Sequence, residues 1–241
     1  MRESLSFVFP MYNEKDNIEE MIFRTLAVAP ELADDFEIVV VDDASTDGCG
    51  DLVERLAAQH AQVRCVHHER NRKLGGALRT GFAASTKELV LYTDSDLPID
   101  MNDIKLALPY LEQADLLIGY RLVRTEGLRR RVISKGYNWI IRVLFGLRVR
   151  DVNFAFKVIR RRVLEAIDLK SEGSFIDAEI ILETMRKGFQ VREVGMMFYQ
   201  RTAGKSSLAG TGVILKILQE LLAYRRRVGA IKLNSRVMSV A

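Results

Sequence analysis

The stretch Leu89-Val90-Leu91-Tyr92-Thr93-Asp94-Ser95-Asp96-Leu97-Pro98 decides the fold of this chain. Its first half is apolar and predicts a buried strand, and its second half places two carboxylates before a proline that ends the ladder. Side chains at i and i+2 of extended backbone point to the same side, so we expect Asp94 and Asp96 to meet there. Two carboxylates that close repel unless a cation lies between them or one is protonated. Hard oxygen ligands favour Mg²⁺ or Mn²⁺, and the alternative is a solvated, Asp-rich turn.

Strands and helices alternate along the chain up to this stretch. Apolar strands are predicted at residues 4–9, 36–41 and 63–66, with helical spacing of apolar residues between them. This pattern indicates an α/β, Rossmann-like fold with a mostly parallel sheet and helices on both faces. Ligands of such sheets bind outside the carboxyl ends of the strands. The polar residues that follow the first four strands are Tyr12, Asn13, Glu14, Asp42, Asp43, Asn71, Asp94 and Asp96. Their convergence predicts an active site at that edge.

The second half of the chain has a looser pattern of helices and strands. The predicted elements are a helix at 102–112, a strand at 116–120, an amphipathic helix at 129–145, extended chain at 151–159, a helix at 174–187, a strand at 189–199 and a helix at 213–227. Residues 234–241 are expected to form a disordered tail.

Composition excludes several classes of protein. The chain has 241 residues, 48% apolar and 28% charged, which is typical of one large globular domain. No apolar stretch reaches the roughly 20 residues of a membrane span. Two cysteines without metal spacing or disulfide density favour a reducing cytosol. The net charge of +4 is a C-terminal property, because from Arg201 onward eight Lys or Arg face one acid.

Four segments, in a fixed order, identify a family by resemblance. They are Phe9–Glu14, Val39–Asp47, Asn71–Gly81 and Asp94–Leu97. They resemble the family-2 glycosyltransferases of GT-A fold. Later segments are similar to the dolichyl-phosphate or polyprenyl-phosphate mannosyltransferase branch, so that the likeness covers about residues 5–227: Gly119-Tyr120-Arg121, Arg130 with Ser134, Phe156-Lys157, and Arg201 with Gly204-Lys205-Ser206. The chain departs from this branch at Pro98, where Gln is frequent, and at 153–157, where a Cys-Gly-Phe-Lys type segment is usual.

The resemblance implies an inverting transfer of a hexose from a nucleotide-diphosphate sugar, of GDP-mannose or UDP-glucose type, to a polyprenyl or dolichyl phosphate. Asp94 and Asp96 would hold Mg²⁺ or Mn²⁺ on the diphosphate. The residues implied to bind the nucleotide-sugar are Pro10, Tyr12, Glu14, Asp42, Asn71, Arg79, Asp94, Arg201 and Lys205. The implied catalytic residues are Asp96, Arg121, Arg130 and Ser134, of which the last three would receive the acceptor phosphate.

The chemistry of the acceptor separates two hypotheses. A sugar hydroxyl needs a general base, whereas a phosphate monoester, with a second pKa of about 6, does not. We expect His60, His67 and His68 to lie at the surface. Asp177 and Glu179 are expected on the solvent-exposed face of a helix, although these two acids remain candidate bases. Few bases and many arginines favour the phosphate acceptor. The alternative is a family-2 enzyme that glycosylates a hydroxyl of a saccharide or small molecule.

The C-terminal helix has two readings. Its wide apolar arc and Arg225–Arg227 suit an anionic membrane surface, and they equally suit packing on the core with a basic C-terminal end. We expect a GT-A catalytic domain at 1–210, a basic amphipathic helix at 211–230 and a tail at 231–241. The expected location is cytoplasmic, peripheral on the cytoplasmic membrane face, with the membrane surface and a membrane-anchoring protein as partners and no nucleic acid.

Three other classes fit the residues poorly. A phospho-receiver domain needs an Asp after the third strand, where His67 stands. A dinucleotide-binding oxidoreductase needs G-x-G-x-x-G after the first strand, and Pro10–Glu14 contains no glycine. A sugar-phosphate nucleotidyltransferase would also want a glycine-rich first turn.

Overall fold

The computed structural model describes residues 3–123, 128–199, 211–229 and 238–239, without the side chains of 128–130, 132–133, 211–215 and 238–239. The strands of the described chain are β1 (Leu5–Met11), β2 (Phe36–Asp42), β3 (Val63–His67), β4 (Leu89–Thr93), β5 (Leu116–Arg121), β6 (Phe156–Arg160), β7 (Val191–Met196) and β8 (Met238–Ser239). The helices are α1 (Ile18–Leu32), α2 (Cys49–Gln59), α3 (Lys73–Ala84), α4 (Ile104–Ala107), α5 (Leu128–Phe145), α6 (Arg161–Ala166), α7 (Ile176–Arg186) and α8 (Thr211–Val228).

The strands form one sheet in the order β3-β2-β1-β4-β6-β5-β7-β8. Every neighbouring pair is parallel except the two that involve β6, which runs antiparallel to both β4 and β5. The predicted mostly parallel α/β sheet is therefore confirmed. Because β6 is reversed between two strands of the same direction, the carboxyl ends of β1 to β5 and β7 share one edge. The segment that leads into β6 reaches the same edge.

Apolar side chains fill both faces of the sheet. Alternate residues of β1 point to opposite sides, with Phe7 and Phe9 packed in the layer of α1 and α2 and Val8 packed in the layer of α3, α5, α7 and α8. Burial on both faces explains why the central strands are continuously apolar rather than alternating.

Helix α3 lies unusually close to the sheet at Gly81. A Cβ built on this residue would lie 2.3 Å from Val8 Cγ1 and 3.2 Å from Val41 Cγ2. Only glycine leaves room for that approach. The close contact fixes the position of α3 and of the Asn71 loop that precedes it at the edge of the sheet.

The structure differs from the sequence-based prediction in several elements. The helix predicted at 102–112 is divided into a 3₁₀ turn, the short α4 and a second 3₁₀ turn, the last of which contains Pro109, which lacks a backbone donor. Helix α6 was not predicted. Met238–Ser239 pairs with β7 as a parallel strand where a disordered tail was expected. Among the helices of the described chain, none is both long and apolar enough to cross a membrane.

Candidate active site

The loops that follow β1 and β2 are hydrogen-bonded to each other. The backbone amide of Asn13 donates to Ser45 Oγ at 3.0 Å, and the amide of Thr46 donates to Asn13 Oδ1 at 2.7 Å. The amide of Lys15 donates to Asp47 Oδ2 at 3.0 Å. These reciprocal contacts join the two loops, which carry residues implied to bind the nucleotide, in one arrangement.

Strained backbone concentrates in the edge loops. Four non-glycine residues in the described chain have a positive φ: Asn13 at 56°, Ala44 at 60°, Lys73 at 63° and Leu97 at 57°. They follow the carboxyl ends of β1, β2, β3 and β4, respectively. Such conformations cost on the order of 1–3 kcal/mol each and concentrate at functional sites. The edge predicted from the sequence is thus also where the backbone is under most strain.

Asp42 is the last residue of β2, and its buried carboxylate is oriented from two sides. Its Oδ1 accepts from the amide of Ser45 at 3.0 Å, and its Oδ2 lies 3.0 Å from Nδ1 of His67 on β3. Nε2 of the same ring lies 2.8 Å from Glu54 Oε1 on α2. The pKa of His67 is raised, first by Glu54 and then by Asp42. The nucleotide-binding role implied for Asp42 stays a prediction.

His68 is buried, which contradicts the expectation of a surface residue. Its side chain is 6% exposed, with Nδ1 2.7 Å from Asp43 Oδ1 and Nε2 2.8 Å from Thr80 Oγ1. Asp43 also accepts from the amide of Arg72 at 2.7 Å. The pair joins the end of β2 to the Asn71 loop and α3. Sequence reasoning missed the contact between Asp43 and His68, although the register that places Asp42 opposite His67 also places these two residues side by side.

Asp94 and Asp96 lie at the edge of the sheet, both half-buried. Strand β4 ends at Thr93, and Asp96 lies in a turn that ends at Leu97, so the predicted extended backbone through both residues is wrong. Ser95 between them donates its hydroxyl to the carbonyl of Pro10 on β1 and anchors this turn to the neighbouring strand. Mg²⁺ and Mn²⁺ sites in nucleotide enzymes use one or two carboxylates plus substrate phosphates, and this pair fits that donor set.

A buried ion pair lies beneath the edge. The ammonium of Lys157 on β6, itself fully buried, donates to Asp177 and to the backbone carbonyl of Phe154. Asp177 also accepts a hydrogen bond from the hydroxyl group of Tyr92. Burial and the neighbouring Asp177 raise the pKa of Tyr92 well above its usual value. The expectation that Asp177 lies on a solvent-exposed helix face is wrong, because its side chain is buried beneath the edge of the sheet.

Glu179 is buried as well and fixes the end of α8. It accepts the amide of Ser171 at 2.8 Å and pairs with Arg227 at 2.6 Å. On α8, Leu221 and Tyr224 are buried, and Arg225 donates to the carbonyl of Leu144. These residues pack the described C-terminal half of the helix on the core, whereas Leu222 and Arg226 are exposed, so the membrane reading of this helix stays a prediction.

Arg121 ends β5 on the other side of the site. Its side chain is 9% exposed, with Nη1 2.7 Å from Asp151 Oδ2 and the guanidinium stacked 5.1 Å and 4.7 Å from the rings of Phe154 and Phe198. Its Nε is buried without a hydrogen-bond partner among the described residues, as is Oδ1 of Asn153 in the same segment. Buried donors and acceptors of this kind are rare in proteins.

The other residues implied by the resemblance are placed as follows. Pro10 lies at the end of β1, Tyr12 is exposed, Asn71 accepts from the amide of Lys73, and Arg79 donates to the carbonyl of Lys170. Glu14 lies beside Asn17, which donates to it at 2.7 Å. Ser134 is half-buried on α5, next to Arg130, whose side chain lies outside the described part. Arg201 and Lys205 lie outside the described residues.

Comparison with known proteins gives consistent results. The family model described as glycosyl transferase family 2 matches residues 6–168. The polyprenol monophosphomannose synthase of Mycolicibacterium smegmatis is 31% identical over 219 residues, which cover 86% of this chain and 81% of that protein. The undecaprenyl-phosphate mannosyltransferase of Micrococcus luteus is 29% identical over 214 residues, covering 84% and 86%. The crystal structure of glucosyl-3-phosphoglycerate synthase from Mycobacterium tuberculosis, in complex with Mn²⁺ and uridine-diphosphate-glucose, has a TM-score of 0.69 at 19% identity and covers 93% of this chain and 79% of that one. The shared fold is GT-A.

Replacing Lys157 with Met should destabilise the protein by about 3–5 kcal/mol, because it leaves Asp177 as an uncompensated buried charge. Urea unfolding at pH 7 measures the change. Lys187→Met, at the exposed end of α7, is the control and should stay within about 0.5 kcal/mol of the wild type. The double variant Lys157→Met/Asp177→Asn should recover part of the loss, and a single variant as stable as the wild type would contradict the ion-pair account.

Proposed function

Because this chain belongs to glycosyl transferase family 2, we propose that it transfers a hexose, with inversion, from a nucleotide-diphosphate sugar to a polyprenyl phosphate. The observation that supports this most is the likeness, over more than four-fifths of either chain, to two proteins named as polyprenol and undecaprenyl-phosphate mannosyl enzymes. GDP-mannose is accordingly the first donor to test, and UDP-glucose is the second.

The donor half of the site is the acidic edge of β1 to β4. Tyr12 and Asp42 are proposed to hold the base and ribose in loops already fixed by hydrogen bonds. Asp94 and Asp96 would hold Mg²⁺ or Mn²⁺, which supplies Lewis-acid stabilisation of the leaving diphosphate. Arg201, with Lys205, would add positive charge to the same phosphates.

The acceptor half is proposed to be cationic. Arg121 places a guanidinium at the carboxyl end of β5, and this charged, planar donor group suits a phosphate oxygen. Arg130 and Ser134 are four residues apart on α5 and share one face of that helix. A phosphate dianion placed among these groups attacks without a general base.

The burial of Asp177 and Glu179 supports the phosphate acceptor over the hydroxyl acceptor. Asp177 already accepts from Lys157 and Tyr92, and Glu179 already accepts from Ser171 and Arg227. A general base must be within hydrogen-bond reach of the acceptor hydroxyl. Neither carboxylate is accessible to such a hydroxyl in this arrangement.

Exposed apolar side chains support a membrane contact beside the acceptor half. β5 and β7 are parallel neighbours, and the chain just beyond them exposes Leu122 and Val123 on one side and Met197 and Tyr199 on the other. Trp139 of α5 is 64% exposed. We propose that this patch rests on the cytoplasmic face of the membrane, where a polyprenyl phosphate presents its head group, and that a membrane-anchoring protein adds to the contact.

Arg130→Ala should lower transfer to polyprenyl phosphate by about 100-fold, because a hydrogen bond to a charged group is worth about 1.5–3 kcal/mol. Donor binding, measured by calorimetry with the nucleotide-sugar and Mn²⁺, should stay near the wild-type value. The matched control is Arg142→Ala, an exposed arginine three turns further along α5. Wild-type transfer by Arg130→Ala would contradict the phosphate-acceptor role, and loss of donor binding would place this residue in the donor half.

The double variant Leu122→Ser/Val123→Ser should bind phospholipid vesicles at least about tenfold more weakly, since burial of one such side chain is worth about 1.5–3 kcal/mol. Flotation with vesicles that contain anionic phospholipid measures the partition. Leu106→Ser is the control, because Leu106 is 72% exposed on α4, whose Lys105 pairs with Glu31 at the far end of α1. An equal loss of vesicle binding in the double variant and in Leu106→Ser, or no loss of vesicle binding in the double variant, would overturn the proposed membrane face.

A further inference from the structure

Three side chains with metal-binding atoms lie together at the outer edge of the sheet: Glu54, Cys65 and His67. Cys65 and His67 belong to β3 and Glu54 to α2, and β3 is separated from β4 by β2 and β1. At about 4.8 Å per strand, this cluster is roughly 14 Å from the strand that leads to Asp94 and Asp96. We propose that Glu54, Cys65 and His67 form a zinc-binding site that adjoins the nucleotide-sugar site at Asp42 and is separate from the Asp94 and Asp96 pair.

The topology places the three ligands on one side of the sheet. Cys65 and His67 are two residues apart on β3, so their side chains point to the same face. Glu54 belongs to α2, which packs against that face. The carboxylate oxygen, sulfur and ring nitrogen lie within 4.8 Å of one another. Tetrahedral zinc, with bonds of about 2.0–2.3 Å, needs such atoms about 3.3–3.8 Å apart. The widest pair would therefore close by at most roughly 1 Å, and the Glu54–His67 pair, which is 2.8 Å apart, would open by about 0.5 Å.

The histidine is already oriented for a metal. Nδ1 of His67 lies 3.0 Å from Asp42 Oδ2, and the ring therefore presents Nε2 to Glu54, 2.8 Å away. A carboxylate behind the distal nitrogen of a histidine is the usual outer support of a protein zinc ligand. Gly50 makes this close packing feasible, because a Cβ there would lie 2.5 Å from Asp42 Oδ2 and 3.2 Å from the His67 ring.

The local charge favours a divalent cation. The carboxylates of Asp42 and Glu54 lie 3.0 Å and 2.8 Å from the ring nitrogens of His67 and set up a negative field around the three side chains. The same negative field stabilises a bound cation, and the thiol gives up its proton when it coordinates. A set of sulfur, imidazole and carboxylate selects Zn²⁺ over Mg²⁺ or Mn²⁺, which prefer oxygen ligands. Ligand chemistry therefore separates this site from the pair of aspartates.

The metal would join a helix to an edge strand. β3 has only β2 beside it among the described strands, and α2 lies over it. Zinc bound by one residue of the helix and two of the strand would fasten this outer edge. Because a ligand that binds only the folded state stabilises it, zinc should raise the unfolding temperature of the protein.

Cobalt is the direct probe of this site, since its absorption reports thiolate coordination. The full chain, freed of metal, should bind one Co²⁺ with thiolate-to-cobalt charge-transfer absorption, and Zn²⁺ should displace it. Cys65→Ser should lose that absorption, and Glu54→Gln or His67→Gln should weaken binding at least about tenfold. His60→Gln, at the end of α2, is the matched control and should bind as the wild type does.

A second readout covers variants that fold poorly. Zn²⁺ should raise the melting temperature of the wild type and of the Asp94→Asn/Asp96→Asn variant, and should leave that of Cys65→Ser unchanged. Charge-transfer absorption that persists in Cys65→Ser, or that is absent from the wild type, overturns the proposal. The transfer reaction plays no part in either readout, so failure of the zinc site and failure of the proposed function are separate results.

Discussion

Backbone hydrogen bonding between parallel strands is the constraint on which the rest of this structure depends. The ladders β3-β2-β1-β4 bring four strand ends to one edge, and the reversed β6 returns the sheet to the same direction for β5 and β7. Every loop with a functional assignment follows one of these ends. The strained residues Asn13, Ala44, Lys73 and Leu97 lie there as well, and hydrogen bonds join the loops that carry the first two.

Charge divides the edge into two halves. Acidic groups follow β1, β2 and β4, where a metal–diphosphate complex would lie, and Arg121 follows β5, where an acceptor phosphate would lie. Between the halves, Lys157 and Asp177 neutralise each other below the surface. The pair holds β6 against α7 and keeps a carboxylate away from the acceptor. This arrangement explains why an enzyme with a phosphate acceptor can bury the acids of α7 that a hydroxyl acceptor would require.

The sequence predicts the sheet and the edge at which the polar residues meet, because both depend on local patterns. Strand β4 and the positions of Asp42, Asp94 and Asp96 follow from apolar runs that end in acids. Burial of His68, Asp177 and Glu179 could not be predicted, since each is buried by partners far away in the chain, such as Thr80, Lys157 and Arg227. The antiparallel direction of β6 could not be predicted either, because an apolar strand has the same residue pattern in either direction. The roles of individual acceptor-side arginines were predicted by resemblance, since a single arginine does not differ locally from a solvated surface, whereas the phosphate acceptor also followed from the scarcity of bases and the number of arginines.

The most direct test of this account is an organic-extraction assay with the purified protein, Mn²⁺ and a polyprenyl phosphate, offered GDP-mannose, UDP-glucose and a UDP-N-acetylhexosamine in turn, each labelled in the sugar. The account predicts that label from one donor enters the lipid phase, that chelation of the metal abolishes the transfer, and that a polyprenol without phosphate receives none. Label that stays in the aqueous phase with every donor, while nucleotide-sugar binding persists, would contradict the phosphate acceptor and place the reaction on a hydroxyl.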